Sequence, residues 1–533
     1  MWTGTLGPEA ESRLKRALGP GARIVAGPGF ALGVQNRGGE PAALSVEADG
    51  TVRAALGDTD EAGCSATIRP AGPTVALQRD PFGLHSLYFA RQEGSLDFST
   101  DLRALTRCFD AMPTLDPIAL HGYLCFSYVP TPHTLLSGIS TLSAGGRIEI
   151  RGEKTEEAGA PPWSEEPPFA GSEEAAVGEL RALLQAAIVR RLGAEREVGV
   201  FLSGGLDSSL IAAMLAEAGA RLRLFTLDFG APWNVELPWA QQVAMRLGQP
   251  LTVVSAAPDA VRSALETTAA ALDLPFGDGV VVPLMLLGKA ASGQVETIFN
   301  GEGGDQLFGG WANKPMLAAE LYGDPGYDRE AAYLDTFHRF HGLTDRLYTP
   351  PMRERTADAD VGHWVRPALN EGGFASLLHR LRSANLALKG AQNIAPRAVQ
   401  LAAAQGLKVR SPFFDRALTE WSFRLPPEWL LRGACEKYLL KRVAEAYLPT
   451  EIVWREKRGM GVPVTEWCLG PLRRDIERTL HPRQLKRDGL FDPRYVAALL
   501  RGEDQPGEFR RRRLGEKLWA LYMFQLWQGT GRR

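Results

Sequence analysis

The segment Val198–Ser209, VGVFLSGGLDSS, constrains this chain more than any other. Its apolar run Val198–Leu202 predicts a buried strand of a parallel sheet, and the amphipathic stretch Leu210–Ala220 predicts the helix that follows. Between them, Ser203–Ser209 is a loop opening onto a helix N-terminus. Gly204 and Gly205 let the backbone approach an anion closely. The free N–H groups of the helix start, the serine hydroxyls and the helix dipole all favour phosphate there. No Gly-Lys pair follows, so this is not a Walker A loop with a lysine on the terminal phosphate. The plain alternative is a strand–turn–helix with a Gly-Gly turn and no ligand. It is the weaker reading, because the string sits in the strand–loop–helix setting that anion binding requires.

The rest of the chain fits an α/β reading in two parts. Between residues 30 and 100 the runs FALGVQ, ALSVEA, TVRAAL, SATIRP, TVALQRD, SLYFARQ and SLDFST alternate in the manner of short antiparallel strands, with GGE, ADG and EGS as turns. Helical pieces are expected near Asp101–Cys108 and Asp116–Cys125. Arg151–Gly171 is rich in Pro, Glu, Gly and Ala and has no apolar period, which predicts a linker. Beyond it, Val198–Leu202, Leu222–Leu227, Leu251–Val254 and Glu296–Asn300 alternate with helical segments and predict a doubly wound parallel sheet. From about Met316 onward the pattern is predominantly helical. Domains are therefore expected at 1–160 and 172–533.

Composition narrows the partners. A net charge of −2 over 533 residues gives no reason to expect nucleic acid or an anionic membrane. The tract Arg510–Arg513 lies in EFRRRRLGEKLWALYMF, whose apolar spacing reads as a helix with a solvated basic face. Five scattered cysteines without CxxC spacing argue against a disulfide framework or a zinc site and fit a reducing cytoplasm. No apolar run is long enough to span a bilayer.

SGGLDSS resembles the PP-loop of ATP pyrophosphatases. With LPFGDGVVVPLMLL, FNGEGGDQLFGG, VRSPFFD, CEKYLLKRVAEAYLP and WREKRGMGVPVTEWCLGPLR, in that order, it resembles the synthetase domain of the asparagine synthetase superfamily. RDPFGLHSLYFAR and FSYVPTPHTLLSGISTLSAGGRIEI resemble the later part of that family's N-terminal glutaminase domain. The resemblance implies a degenerate N-terminal nucleophile hydrolase-like αββα domain, then a PP-loop domain with a helical C-terminal part. It implies ATP and Mg²⁺. Ser203, Gly204, Gly205, Asp207 and Ser208 would cradle pyrophosphate, and Leu202, Leu227 and Gly301 would surround adenine and ribose. Asp207 and Asp305 would share magnesium, suiting a hard, oxygen-loving ion. Glu302 would act as base toward the incoming amine, and Lys437 and Lys457 would stabilise charge during adenylation. Taken singly, these residues also have ordinary readings: Asp207 as a helix cap, Asp305 as a turn former, a lysine as a solvated surface group.

Two departures bear on function. Trp2 stands where a working glutaminase of this family needs a cysteine next to the initiator methionine, so glutamine hydrolysis is expected to be lost. VQLAAAQGLKVRSPFFD replaces the family's DRMSMAHSLEARVPFLD, which makes aspartate less secure as the substrate. The leading expectation is an AMP-forming amide ligase joining a small-molecule or peptide carboxylate to ammonia or an amine. A lasso-peptide macrocyclase or another natural-product amide or lactam synthetase is the enzymatic alternative. A non-catalytic nucleotide-binding regulator is the third. Oligomeric state, a homodimer among the options, is left open.

Overall fold

A computed structural model describes residues 1–7, 9–36, 39–57, 63–69, 74–92, 94–151, 154–158, 163–310, 314–321, 323, 327–337, 339–370, 373–456, 460–503 and 508–531. Lys457, and the side chains at 508–512 in the basic tract, lie outside the described residues.

The alternating runs of the first 160 residues pair into two antiparallel six-stranded sheets. One runs in the order Ile139–Thr141, Tyr88–Gln92, Ser95–Ser99, Trp2–Leu6, Phe30–Val34, Arg23–Gly27. The other runs Lys154–Ala158, Arg147–Arg151, Thr74–Gln78, Cys64–Arg69, Val52–Leu56, Ala42–Val46. Period-2 alternation turns Ala54, Ile68, Leu77 and Ile150 inward against Trp2, Leu32 and Phe98. Helix Ala10–Ala17 covers the outer face of the first sheet through Leu14 and Leu18, which pack on Ala31. On the second sheet the outward residues Arg53, Thr67, Gln78 and Glu149 are half-buried or exposed. The degenerate αββα sandwich thus has its helical layer on one side among the described residues.

The expected linker needs correction. Lys154–Ala158 is an edge strand, paired antiparallel with Arg147–Arg151. The backbone ladder, rather than apolar periodicity, holds it, which is why its sequence read as a loop. Trp163 and Phe169 are docked too: Trp163 is buried against Phe82, and Phe169 packs on Trp421 and Trp429.

The second part is built on a parallel sheet in the order Leu251–Ser255, Arg221–Asp228, Glu197–Phe201, Thr297–Phe299, Lys408–Arg410. Four of these strands match the expected runs; Lys408–Arg410 is too short for a periodic signal. Strand order reverses between Glu197–Phe201 and Thr297–Phe299, which opens a crevice at their carboxyl ends. Helices dominate from Lys314 onward, ending in Glu508–Thr530. Helix Pro117–Phe126 is capped by Asp116, which accepts the N–H groups of Ile118 and Ala119 at 2.8 and 3.0 Å. It is buried from Ala119 to Phe126 because it packs between the two halves. Among the described residues, no helix is long and apolar enough to cross a membrane.

Candidate active site

The loop after strand Glu197–Phe201 turns through Gly204, whose φ of +73° belongs to the left-handed region that glycine tolerates. A Cβ here would also collide with the backbone of Trp239 and Ala240. Gly204 therefore packs against the neighbouring helix and does not line the cleft. The next turn is closed by hydroxyls. Ser203 Oγ accepts the Gly205 N–H at 3.1 Å, and Ser208 Oγ accepts the Ser203 N–H at 3.1 Å. Helix Leu206–Glu217 then starts with Gly205 as its N-cap and no side-chain cap. Its first-turn amides and dipole face the cleft, the arrangement that binds anions. Asp207 sits in that first turn and is not the cap.

The segment Asn300–Asp305 comes up beside it. A Cβ on Gly301 would stand 2.6 Å from Ser208 N, and one on Gly304 would stand 2.7 Å from Asp207 Cγ. Only glycine permits two backbones this close. Asn300 Oδ1 accepts the Glu302 N–H at 3.1 Å and the Ser411 hydroxyl at 2.8 Å, tying this turn to the SPFFD segment. Asp207 and Asp305 are thereby brought to one point, and Lys437 fills the space between them. Its Nζ pairs with Asp207 Oδ2 and lies 2.5 Å from Asp305 Oδ1. Lys437 is 3% exposed and has a left-handed φ of 56°, a strained geometry for a lysine that the surrounding packing imposes. Burial alone would depress its pKa, but the Asp207 and Asp305 carboxylates outweigh burial and raise it.

Glu302 forms part of the same wall. Burial pushes its carboxyl above the ordinary value; Arg397 pulls it down, Asp305 and Asp207 push it up, and Lys389 pulls it down. These groups border a cleft of about 790 Å³ that Leu202, Ser203, Gly205, Asp207, Ser208, Leu227, Gly301, Glu302, Asp305 and Lys437 all line. Ten of the expected site residues thus converge, from four separate stretches of chain. Sequence reasoning missed Arg455, which also lines the cleft; its Nη2 is 3.7 Å from where a Gly205 Cβ would be. Its signal was in the same WREKRG block, two residues before Lys457. The far wall is apolar: Leu284, Leu287, Ala398, Leu401, Ala402 and Met460.

Among the described residues no cluster of three or more His, Cys, Asp or Glu could hold a metal. Two carboxylates already gripping one cation beside an anion site do fit magnesium, which is commonly held by one or two carboxylates plus substrate phosphates.

Comparison with known proteins gives a match to the asparagine synthase family model over residues 179–529 and to a glutamine amidotransferase domain model over residues 71–160. A putative glutamine-hydrolyzing asparagine synthetase of Mycobacterium tuberculosis is 26% identical over 486 residues, covering 84% of this chain and 73% of the relative. Glutamine-hydrolyzing asparagine synthetase 1 of Bacillus subtilis is 24% identical over 475 residues, with coverage of 84% and 74%. The amidase chyE of Penicillium rubens is 24% identical over 491 residues, with coverage of 78% and 71%. Among solved structures, the NMN synthetase of Francisella tularensis aligns at TM-score 0.21 and 14% identity, over 39% of this chain and 98% of that one, too remote a likeness to bear on the site.

Proposed function

The chain belongs to the asparagine synthase family, and from that premise we propose that it activates a carboxylate as an acyl-adenylate and passes it to ammonia or an amine, without a glutaminase activity of its own. The observation that supports this most is the meeting of Asp207, Asp305 and Lys437 at an uncapped helix N-terminus beside Glu302.

In this reading one oxygen of the substrate carboxylate attacks the α-phosphorus of ATP, and the bond to pyrophosphate breaks. The amine nitrogen then attacks the acyl carbon, AMP leaves, and the nitrogen loses a proton. The first-turn amides of helix Leu206–Glu217 and the Ser203–Ser208 loop hold the departing pyrophosphate. Asp207 and Asp305 would hold magnesium, which when bound offsets phosphate charge. Lys437 and Arg455 add fixed positive charge where negative charge develops. Glu302 takes the proton from the nitrogen; burial raises its affinity for that proton. Leu202, Leu227 and Gly301 line the part of the cleft suited to the nucleoside. Gly204 supports the loop from behind. Lys457, from the same block as Arg455, is retained as a candidate for charge stabilisation.

The amidotransferase-type domain supports the absence of glutaminase. Its three cysteines, Cys64, Cys108 and Cys125, are buried. Burial raises their thiol pKa values, to about 12 for Cys108 and Cys125. Trp2 occupies the space between the sheets with 0% exposure, packed edge-on to Phe98.

A second reading has its own observation. Leu401 and Ala402, from the segment that departs from the family pattern, contribute to the apolar wall together with Ala398 just before it. This favours a carboxylate with an apolar body, as in a specialised amide, lactam or peptide ligase. Exchange of labelled pyrophosphate into ATP separates the readings when driven in parallel by L-aspartate, L-leucine, L-phenylalanine and short peptides. ADP rather than AMP as the nucleotide product would refute both.

A further inference from the structure

The amidotransferase-type domain meets the synthetase half at several places, and two of these contacts land on one unusual element. Residues Leu386–Ile394 form a nine-residue π-helical stretch. Runs of π-helix are rare and concentrate at functional sites. The loop Arg79–His85 presses on it. Gly83 has φ +68°, and a Cβ there would overlap the Ala391 carbonyl. Arg79, 2% exposed, gathers four carbonyls from both halves: Leu142 at 2.7 Å, His85 at 2.8 Å, Gly83 at 3.2 Å and Ala391 at 3.5 Å. Asp80 shapes the loop by accepting the N–H groups of Phe82, Leu84 and His85. Phe82 continues into the synthetase core against Phe414. At the second point, the Thr131 N–H donates to Gln392 Oε1 at 3.0 Å.

The stretch held in this way runs directly into helix Ala395–Ala403, which carries Arg397, and packs close to the turn that bears Glu302: a Cβ on Gly390 would stand 3.8 Å from Gln306 Cγ. Asn393 Nδ2 and Arg397 Nη1 both donate to Asp278 Oδ2, at 2.7 and 2.9 Å, and Arg397 also donates to Asn393 Oδ1 at 2.8 Å. Arg397 and Lys389 are the cations whose fields reach Glu302. Lys389 is half-buried and makes no ion pair or hydrogen bond among the described residues. A shift of this stretch would move both charges relative to Glu302 while leaving the loop at Ser203–Ser208 in place.

We propose that the amidotransferase-type domain is a positioning element for the acceptor side of the cleft: the Arg79–His85 loop and Thr131 clamp the π-helical stretch so that Lys389 and Arg397 face Glu302, with Arg79 as the principal positioning residue. The catalytic consequence rests on the reading of Glu302 given above. The test uses the full chain with Arg79→Met and, because loss of a buried arginine endangers folding, the milder Gln392→Ala. Hydrogen exchange followed by mass spectrometry should show the amides of 386–403 opening roughly tenfold faster, with those of 197–228 unchanged. Affinity for ATP with magnesium should stay within about threefold of the wild type, because that side of the cleft is not held by the clamp. With L-aspartate and ammonium chloride as probes, amide formation should fall roughly tenfold with a raised KM for ammonium, while pyrophosphate exchange holds. Arg79→Lys should recover part of the protection. Wild-type protection of 386–403 in both variants overturns the proposal, whatever the activity. So does loss of protection spread evenly over 197–228 with a parallel loss of ATP affinity. Glu302→Gln is measured separately: if it leaves amide formation intact, the reading of Glu302 fails while the exchange result still decides the clamp.

Discussion

Replacing Lys437 with methionine removes a cation that Asp207 and Asp305 share while keeping most of the side-chain volume. Lys437 Nζ lies 2.5 Å from Asp305 Oδ1 and pairs with Asp207 as well. At an effective dielectric constant of about 20, one such contact is worth roughly 6–7 kcal/mol before desolvation. Taking the ammonium out of water offsets most of that, so the lysine is not a large net stabiliser. Its removal is another matter, because the two carboxylates stay behind. Breaking a buried pair from one side typically costs about 3–5 kcal/mol. The Asp305 side chain is 36% open to solvent, which screens its part and puts the expected loss near the lower end, about 3 kcal/mol. With about 2.1 cal/mol/K of unfolding entropy per residue over 533 residues, that is a fall in Tm of roughly 3 °C. Magnesium should then substitute for the ammonium: at about 100 times its dissociation constant it restores about 2.7 kcal/mol. Scanning calorimetry of both proteins with and without magnesium reads this directly. The sign with pH is also fixed. A folded-state pKa raised above the unfolded value gives stability that is complete below the ordinary lysine pKa of about 10.4 and lost as pH rises through the folded value. The gap between wild type and variant should therefore be flat from neutral pH to about 10 and close above it. Equal stability of the two proteins, with equal gains from magnesium, would refute the picture of a carboxylate pair built around a cation.

Glu302→Gln should retain pyrophosphate exchange yet lose amide formation by about 10²–10³, measured as product per AMP released. In the wild type the amide-forming step should fail on the acid side at a pH above the ordinary glutamate value of about 4.3, since burial raises this carboxyl and the step needs it deprotonated. Incubation with glutamine, with or without ATP, should release no glutamate above a buffer control; sustained turnover would mean that one of the buried thiols, or the half-buried Cys435, is reactive. Gly304→Ala should push on the Asp207 carboxylate and weaken magnesium-dependent ATP binding at least tenfold, read by calorimetric titration.

What the sequence disclosed followed from how local each signal was. The loop at Ser203–Ser208 was legible because strand, glycines and helix start lie within a dozen residues. Glu302, Asp305 and Lys437 were found through blocks of similar sequence, not through any local period. The pairing of Lys437 with both carboxylates was not legible, since it depends on where three distant stretches meet. Gly204 was read as an anion contact because a glycine's string does not say whether its bare face meets a ligand or a helix. Lys154–Ala158 escaped for a related reason: an edge strand held mainly by backbone hydrogen bonds leaves little trace in side-chain patterning. The π-helical stretch was not read from the sequence either, and its contacts with Gly83 and Arg79 are remote in sequence, that with Arg79 spanning 312 positions.

The buried helix Pro117–Phe126 also sets a timetable for biosynthesis. Its faces are covered by residues that emerge from the ribosome hundreds of positions later. Tyr123 donates its hydroxyl to the Ala520 carbonyl at 2.8 Å, across a sequence separation of 397, and its ring lies against Phe524. Until Glu508–Thr530 is made, the helix has no wall on that side and exposes leucine, tyrosine and phenylalanine to solvent or to chaperones. Translation at about 5–20 residues per second leaves that surface open for roughly 20–80 s. Closure is then a late event in which helix Glu508–Thr530, made hundreds of residues after it, seals Pro117–Phe126, so a nascent chain stalled shortly before residue 508 should be a preferred chaperone client.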